Sequence, residues 1–552
     1  MQTPTLGAHL LERGLLTRSQ LAYALQKQHG TKEPLVQLLA RMGLVSDAEL
    51  AKVLAVFHGI AYADTHEFPL PHQDALDLFK REICLLHGFI PTAISGQHLD
   101  VILGIGEPEK VSSLIRRRTG LEAQLRQGNF TAVSHLIDAA YTRGQAMTES
   151  AFEKEYQKLR QDQQGALAID DLFICLLNLG VAERATDIHL QPESNSIHVS
   201  FRIDGVLSPI VSMDRSMLRL VSAIKVMAAM DISDTLRPQD GRFTIKLHEQ
   251  TYDIRVSTSV TPYGESVVMR LLQKGTFVNG LHELGFMQEH VSLIDALFRE
   301  PYGIFLMTGP TGSGKTTTLY AGLKPHGLTG KSILTIEDPI EYELAAACQT
   351  QVNRKSGYTF ESGIRHFLRH DPDIILVGEI RDQETAEAAM RAAETGHLVL
   401  STLHVNSVFA IASRLAAMQI PAQMVAETLI GCINQRLVRR ICEQCKIEQA
   451  DAGSIPSRLV PYVTSKKLYR GNGCDACRHT GYHGRLPVYE ILLVDAAVAR
   501  WIESGARRQS LDEVLSEANY VAMLDTFAKR VVNGETTVEE FSRHFSLLDN
   551  SA

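Results

Sequence analysis

The chain has 552 residues, a length typical of about three or four domains that each bury a core. Hydrophobic residues make up 45% and charged residues 21%, as in soluble globular proteins, and the net charge of −8 argues against a nucleic-acid partner. No apolar run approaches the ~18 residues of a membrane span, and the N-terminus has no signal-peptide pattern. We therefore expect a cytoplasmic protein whose eight cysteines bind metal or stay reduced.

Residues 1–60 consist of two copies of one pattern, because Gly14 and its neighbours recur 29 residues later around Gly43. In each copy a capping-box pattern, beginning at Thr17 and at Ser46, follows the glycine closely. The pattern predicts two helical hairpins, each with a glycine at its turn. The simplest interpretation is a mainly helical N-terminal domain in which the two hairpins pack on each other.

Three segments separate these repeats from the first catalytic motif. Residues 61–142 predict a small α/β module, and the polar, charged residues 143–165 predict a linker that is partly helical. Over 166–285 an apolar helix and several alternating strands predict an α+β domain, which we expect to be PAS-like. Two of its strands carry Arg255 and Arg270. From chemistry alone, such arginines are usually solvated or paired with a carboxylate.

The strongest motif follows an apolar run of strand type at 303–308. The next residues fit G-x-x-x-x-G-K-[ST] without a mismatch and lead into a helix start, which is the context of a phosphate-binding loop. Lys315 can reach the β- and γ-phosphates of ATP, and the Thr316 hydroxyl can hold Mg²⁺. We therefore expect a RecA-like P-loop NTPase domain over 286–552. Its candidate ATP-binding residues are Gly309, Pro310, Thr311, Gly312, Ser313, Gly314, Lys315, Thr316 and Thr317.

Two later strands deliver carboxylates at their carboxyl ends, which is where ligands bind in an open parallel sheet. Glu337 and Glu341 follow the first of them, and either can be the general base that orients the attacking water. The second strand leads to Gly378 and Glu379. This is a Walker B pattern with glycine where many families have aspartate, so we expect Glu379 to bind Mg²⁺ through water.

A third strand is flanked by His397 and His404. Either histidine can sense the γ-phosphate of ATP, although a lone histidine is as often structural. Both remain candidates, one before the strand and one after it.

Four of the eight cysteines form two C-x-x-C knuckles separated by 28 residues. Four thiolates at this spacing can close tetrahedrally on Zn²⁺. Because the gap is longer than in a usual zinc ribbon, it predicts an inserted loop over 450–467. We expect a structural zinc site within 440–480 and helices from 484 to 550. The expected zinc ligands are Cys442, Cys445, Cys474 and Cys477.

Three segments closely resemble the Asp box, Walker B and His box of the type II secretion and type IV pilus assembly ATPases. They are I-E-D-P-I-E-Y-E at 336–343, D-P-D-I-I-L-V-G-E-I-R-D at 371–382 and T-G-H-L-V-L-S-T-L-H at 395–404. The preceding domain resembles the same family in R-I-D-G at 202–205 and Q-D-G-R at 239–242. The resemblance implies a cytoplasmic homohexamer whose ATP-driven domain rotations move an inner-membrane platform protein and so assemble a pilus or pseudopilus.

The resemblance also implies roles for particular residues. Arg255 and Arg270 would reach the nucleotide from the domain before the phosphate loop. The cysteine cluster and the long N-terminal region are typical of the assembly and secretion ATPases rather than the retraction ATPases. Association with the inner membrane would be peripheral and would depend on partner proteins. Pilus assembly and type II secretion both remain open.

The repeats of residues 1–60 resemble the N-terminal domain of this family, in which paired R-L-G-x(6)-G-x(6)-L-x(3)-L-x-x-Q motifs bind cyclic di-GMP. Here Thr5 and Pro34 stand at the arginine positions, and Val36 and Phe57 replace a glycine and a glutamine of the second motif. We therefore expect little or no cyclic di-GMP binding. Two alternative functions are a nucleic-acid-translocating ring ATPase, which the net charge disfavours, and a cyclic di-GMP-regulated scaffold, which the intact catalytic motifs disfavour.

Overall fold

The computed structural model forms two compact units, Met1–Lys274 and Gly275–Ala552, and each is described separately. No helix in the residues described combines the length and the apolar character needed to cross a bilayer. The structure describes residues 6–31, 34–64, 71–143, 146–161, 169–248, 250–274, 280–326, 330–344, 347–449, 455–463, 467–507, 511, 513–516 and 519–545. Thr5, on which the expected loss of cyclic di-GMP binding partly rests, lies outside these ranges.

The first unit begins with two helical hairpins. Their helices are α1 (Leu6–Glu12), α2 (Arg18–Thr31), α3 (Leu35–Arg41) and α4 (Asp47–His58). Gly14 and Gly43 lie at the turns with φ of 68° and 69°, a conformation that favours glycine. Thr17 and Gln20 exchange both hydrogen bonds of a capping box, and Ser46 accepts the N–H three residues further on. The turns and helix starts predicted from the repeat are therefore confirmed.

A four-stranded mixed sheet follows the hairpins. Its elements are β1 (Ala61–Tyr62), α5 (Gln73–Leu76), α6 (Arg81–His87), β2 (Phe89–Ser95), β3 (His98–Leu103), α7 (Pro108–Thr119), β4 (Glu122–Gln127) and α8 (Phe130–Arg143). The strand order is β1–β4–β3–β2. The buried carboxylate of Asp47, in α4, accepts the N–H groups of Phe130 (3.1 Å) and Thr131 (2.9 Å) at the start of α8. The hairpins and the sheet are thus joined by a cap on a helix N-terminus.

The segment expected to be a linker is largely one helix. This helix, α9 (Ala146–Gln161), packs against α10 (Asp170–Ala182). Phe152 and Tyr156 are buried in the core of the sheet that follows, and the Tyr156 hydroxyl accepts the N–H of Asp214 at 2.9 Å. The helix therefore belongs to the α+β region. Of the rest of the expected linker, Arg143 ends α8, and 144–145 and 162–165 lie outside the described residues.

A six-stranded sheet completes the first unit. Its elements are β5 (Ala185–Pro192), β6 (Ser196–Ile203), β7 (Val206–Asp214), α11 (Arg219–Met227), β8 (Gln239–Leu247), β9 (Gln250–Thr261) and β10 (Gly264–Gln273). The order is β7–β6–β5–β10–β9–β8, and all neighbours are antiparallel. Residues such as Ile188, Phe201 and Ile254 are fully buried against α10 and α11, and they alternate with polar residues on the opposite face. This is the alternation of a sheet with one solvated face.

The second unit contains the phosphate-loop motif. Its elements up to the cysteine knuckles are α12 (Gln288–Arg299), β11 (Gly303–Thr308), α13 (Lys315–Leu323), β12 (Ile333–Glu337), β13 (Cys348–Gln351), α14 (Phe360–Phe367), β14 (Ile374–Val377), α15 (Gln383–Glu394), β15 (Leu398–Leu403), α16 (Ala410–Ala417), α17 (Ala422–Thr428) and β16 (Leu429–Ile441). The remaining elements are β17 (Lys446–Gln449), α18 (Val460–Val463), β18 (Leu468–Gly471), β19 (Tyr482–Leu493), α19 (Ala496–Glu503), β20 (Tyr520–Val521), α20 (Met523–Val532) and α21 (Val538–His544).

Eight of these strands form one sheet in the order β13–β12–β14–β15–β11–β16–β19–β20. The first six strands in this order, from β13 to β16, are mutually parallel. Strands β19 and β20 pair antiparallel at one edge of the sheet. Every residue of β11, β12, β14 and β15 is buried. Helices α12 and α13 contribute to one hydrophobic core and α14 and α15 to another, as in parallel sheets covered on both faces. The expected α/β class is confirmed.

Of the helices expected from 484 to 550, the structure has α19, α20 and α21, but the expectation is wrong for residues 484–493, which belong to the long strand β19. It pairs with β16 along most of its length, so its partners lie about fifty residues earlier in the chain. Glycine and proline within this segment disfavour a strand locally. At Pro487 the missing N–H is tolerated because β20 pairs only with Ile491 and Leu492, and no other strand of the described residues lies along that edge.

Candidate active site and metal centre

The phosphate loop connects the buried strand β11 to helix α13. Gly309, Gly312 and Gly314 have φ of 133°, 77° and 86°, in the region that favours glycine. A Cβ at Gly309 would lie 2.3 Å from the backbone oxygen of Gln435, so no side chain fits there. Among the other predicted loop residues, Pro310 and Thr311 are exposed and Ser313 is buried. Thr316 and Thr317, in the first turn of α13, are half-buried.

Lys315 is the first residue of α13 and folds back over the loop. Its Nζ donates hydrogen bonds to the carbonyl oxygens of Gly309 (2.8 Å) and Pro310 (3.0 Å). Burial lowers the pKa of Lys315 to about 8, and the nearby carboxylate of Glu379 opposes this shift. A phosphate in the loop would add negative charge beside the ammonium group and favour its charged form.

Glu337 ends β12 and is almost inaccessible to solvent. Its carboxylate accepts hydrogen bonds from Thr335 Oγ1 (2.6 Å), from Gln349 Nε2 (3.1 Å) and from the Tyr320 hydroxyl. Burial and this neighbouring carboxylate raise the pKa of Tyr320 above its ordinary value. Because three donors occupy the oxygens of Glu337, it is poorly placed to take a proton from water. Glu341 lies beyond the strand in a half-buried position and is the better candidate.

Glu379 follows β14 and contacts two of the other predicted residues. One of its oxygens lies 2.6 Å from an Arg381 guanidinium nitrogen, and the other lies 3.3 Å from His404 Nε2. Its charge also acts on Lys315. A Cβ at Gly378 would lie 3.3 Å from the backbone of β12, so glycine allows the ends of β12 and β14 to approach closely. The structure therefore gathers Lys315, Glu379 and His404 at the carboxyl ends of β11, β14 and β15.

His397 lies at the opposite end of β15 from His404. Its Nδ1 lies 3.0 Å from the carbonyl oxygen of Ala392 and 3.2 Å from Thr395 Oγ1, and its own carbonyl accepts the N–H of Gly303. The strand between the two histidines spans about 20 Å. Of the two candidate histidines, the geometry within the chain therefore favours His404, since the His397 ring contacts the turn between α15 and β15 instead.

Arg255 and Arg270 lie next to each other on β9 and β10, on the solvated face of the six-stranded sheet. The register across neighbouring strands gives a row in the order Arg202, Asp187, Arg270, Arg255 and Arg242. Asp187 is buried, accepts a hydrogen bond from Arg270 Nε at 2.9 Å and lies 3.9 Å from Arg202 Nε. Asp187 thus holds the side chains of Arg270 and Arg202 in position on this face of the sheet. The sequence pattern missed it because the members of the row come from five strands.

The four predicted metal ligands form one cluster, and all four sulfur atoms lie within 4.8 Å of one another. The Sγ–Sγ distances are 3.8 Å for Cys442 and Cys474, and 3.7 Å both for Cys445 and Cys477 and for Cys474 and Cys477. Tetrahedral zinc with Zn–S bonds of ~2.3 Å requires sulfur separations of about 3.8 Å. The N–H groups of Gly473, Cys474 and Gly481 point at sulfur atoms at 3.2 to 3.3 Å. These donors would stabilise thiolates, so the residues present fit a tetrahedral metal ion.

The cluster is held on β16 and on a small two-stranded sheet. Cys442 follows β16 directly, and β17 and β18 connect the two knuckles by antiparallel pairing. In the expected inserted loop, Leu459 and Val463 are buried against the C-terminal helices, whereas 450–454 and 464–466 lie outside the described residues. The insertion therefore packs against the domain at the points that the structure describes.

Comparison with known proteins gives consistent matches. A family model described as "Type II/IV secretion system protein" matches residues 162–543. The type IV pilus assembly ATPase PilB of Thermus thermophilus is 35% identical over 518 residues, which are 91% of this chain and 58% of that protein. The type II secretion system ATPase E of Vibrio cholerae is 42% identical over 377 residues, which are 67% of this chain and 74% of that protein.

A solved structure shows a likeness in fold. The X-ray structure of the Legionella pneumophila ATPase DotB covers 69% of this chain and 97% of its own chain, with a TM-score of 0.51 and 21% identity. The match covers nearly all of the DotB chain, whereas the present chain spans only somewhat more than half the length of the Thermus relative.

Proposed function

The chain belongs to the type II/IV secretion system protein family, and on this premise we propose that it is an ATPase motor for type IV pilus assembly or type II secretion. The family suggested by the sequence motifs is thereby confirmed, and its named relatives include ATPases of both machines. The observation that carries the proposal is the gathering of Lys315, Glu379 and His404 beside the phosphate loop.

In the proposed reaction, the N–H groups of the loop and the ammonium of Lys315 bind the phosphates of ATP. Thr316 and Glu379 hold the Mg²⁺ that accompanies the substrate, Glu379 through water. Glu341 accepts a proton as a water oxygen bonds to the γ-phosphorus, and the bond from that phosphorus to the β,γ-bridging oxygen breaks to release ADP. His404, held by Glu379, contacts the γ-phosphate and reports its loss.

The arginines of the first unit supply the coupling in this proposal. When the α+β domain, which we assign to the PAS-like class, closes over nucleotide, Arg255 and Arg270 neutralise γ-phosphate charge. Hydrolysis then releases the closed state and drives domain rotation within a homohexamer. The motor is cytoplasmic and acts on an inner-membrane platform protein, through which it associates with the membrane.

The four-cysteine cluster is proposed to hold one structural Zn²⁺ per chain. When bound, the ion supplies four metal–thiolate bonds that stabilise the segment between β16 and β19. Metal analysis of protein purified without chelators should give about one zinc per chain, and Cys474→Ser should lose it. Cys348→Ser, at an exposed cysteine outside the cluster, is the matched control. Zinc-free wild-type protein would contradict the assignment.

Steady-state ATP hydrolysis by the full-length chain tests the proposed function. Activity should require Mg²⁺, should not respond to DNA, and should be lost in Glu379→Gln. Glu341→Gln should still bind ATP but hydrolyse it slowly, because only the base is removed. Stimulation by DNA would instead favour a nucleic-acid translocase.

Calorimetry should detect little cyclic di-GMP binding, since Thr5 and Pro34 cannot replace phosphate-binding arginines.

A further inference from the structure

Strand β16 lies beside β11 and continues past the point at which β11 becomes the phosphate loop. Thr308, the last residue of β11, is in register with Asn434, so Gln435 is the first residue of β16 to lie beside the loop itself. Gln435 is only 2% exposed. A fully buried amide next to a phosphate-binding loop requires partners for its polar atoms, and the loop provides them.

The side chain of Gln435 contacts both the loop and the following helix. Its Nε2 donates to the carbonyl oxygen of Ser313 at 2.7 Å, and its Oε1 accepts from Thr318 Oγ1 at 2.9 Å. A Cβ at Gly314 would lie 2.9 Å from the same Nε2. The backbone oxygen of Gln435 also lies close to Gly309. Gln435 therefore contacts the loop at its beginning, through the backbone, and at its end, through the side chain.

The hydrogen bond to Ser313 fixes the direction of one peptide group. In a planar trans peptide the C=O of one residue and the N–H of the next point in opposite directions. Because the Ser313 carbonyl points at Gln435, the Gly314 N–H points away from Gln435. The bond from Thr318 fixes which end of the Gln435 amide faces the carbonyl, so the orientation of the peptide is determined by two side chains.

We propose that Gln435 is a positioning residue of the nucleotide site, which orients the Ser313–Gly314 peptide so that the Gly314 N–H faces the phosphates. This inference rests on the proposed ATPase function. A loop N–H binds phosphate in the ground state and in the transition state alike, so its loss weakens binding uniformly. Uniform binding loss raises Kd and KM and changes kcat much less.

Gln435→Met tests the proposal, since methionine has a similar volume and no amide. The Kd of Mg–ADP, measured by calorimetry, and the KM for Mg–ATP should each rise about tenfold, with kcat changed less than about threefold. Thr318→Val removes only the donor to Gln435 and should raise both constants in the same direction. In the double variant the two effects should be less than additive, because both residues act through one amide.

Val438→Ala is the control for a general loss of stability. Val438 is fully buried on the same strand but does not contact the loop, so this variant should lower the melting temperature and leave the Kd of Mg–ADP unchanged. A Kd for Gln435→Met within twofold of wild type would overturn the proposal, as would a fall in kcat with Kd unchanged. Wild-type protein that binds no Mg–ADP would instead overturn the proposed function itself.

Discussion

The two large sheets of this protein carry charged groups in different places. In the eight-stranded sheet every residue of β11, β12, β14 and β15 is buried, and Lys315, Glu379 and His404 lie beyond the strand ends. In the six-stranded antiparallel sheet, charged residues lie in a row across the middle of one face.

The difference follows from how each sheet is covered. A parallel sheet has helices on both faces, so a charge within a strand would be buried and costly. Its reactive groups are therefore confined to one edge, where several strands end together. An antiparallel sheet with one solvated face can carry arginines along a strand. The first arrangement suits a fixed catalytic site, and the second suits a surface that meets a ligand only after closure.

The largest effect on activity is expected at the edge site, which comprises Lys315, Glu379 and His404 at the carboxyl ends of the parallel strands. Lys315→Ala should lower kcat for ATP hydrolysis by at least about 10²-fold, because a buried positive charge on the phosphates is lost. Lys110→Ala, an exposed lysine paired with Glu107, is the matched control and should change kcat less than twofold. Steady-state kinetics of ATP hydrolysis on both variants will test this prediction. Substantial activity in Lys315→Ala would show that the edge site is not the site of hydrolysis.

Removal of an arginine from the row should have the next largest effect. Arg255→Ala or Arg270→Ala should lower kcat by at least about tenfold, judged conservatively from the effect of arginine fingers, with ATP affinity changed much less. Arg184→Ala, an arginine of the same unit paired with Asp204, controls for charge. A fragment from residue 286 onward should be nearly inactive even when it binds nucleotide. Full activity in that fragment would show that the face of the first sheet contributes nothing to catalysis.

The lowered pKa of Lys315 predicts a pH dependence that the arginine row should lack. Below pH 8 the lysine is charged before nucleotide arrives; above it, binding must take up a proton, since phosphate raises the pKa of the ammonium. The affinity for Mg–ADP should therefore fall several-fold between about pH 7.5 and pH 9, given a pKa of about 8. Calorimetry at pH 8.5 in two buffers of different ionisation enthalpy should detect proton uptake. Equal heats in the two buffers would contradict the shift.

The smallest effect is expected from the aspartate that fixes the row. Asp187→Asn keeps the shape of the side chain but removes the charge between Arg202 and Arg270. We expect kcat to fall about threefold, less than on removal of Arg270, because the arginine is still present but less well oriented. Asp187→Asn combined with Arg270→Ala should be no worse than Arg270→Ala alone. Additive losses would show that Asp187 does not act through Arg270.

Local sequence was sufficient for the groups that are contiguous in the chain. The phosphate loop, the carboxylates after β12 and β14 and the two cysteine knuckles each occupy short segments, so spacing alone was enough to predict the residues of each candidate site. Helix starts at Thr17 and Ser46 were predictable for the same reason, because a capping box closes within four residues.

Tertiary structure decided every feature that depends on a distant partner. Asp187 meets Arg270 from 83 residues away, and Gln435 meets Ser313 from 122 residues away, so neither had a local signal. The strand β19 forms against β16 despite its glycine and proline, because burial in the sheet outweighs local propensity. His397 and His404 looked equivalent in the sequence, and only the direction of β15 placed one of them at the site. The chain by itself therefore determined which chemical groups are present, whereas the sheet determined which of them meet, since strand ends and registers bring together residues that no local pattern relates.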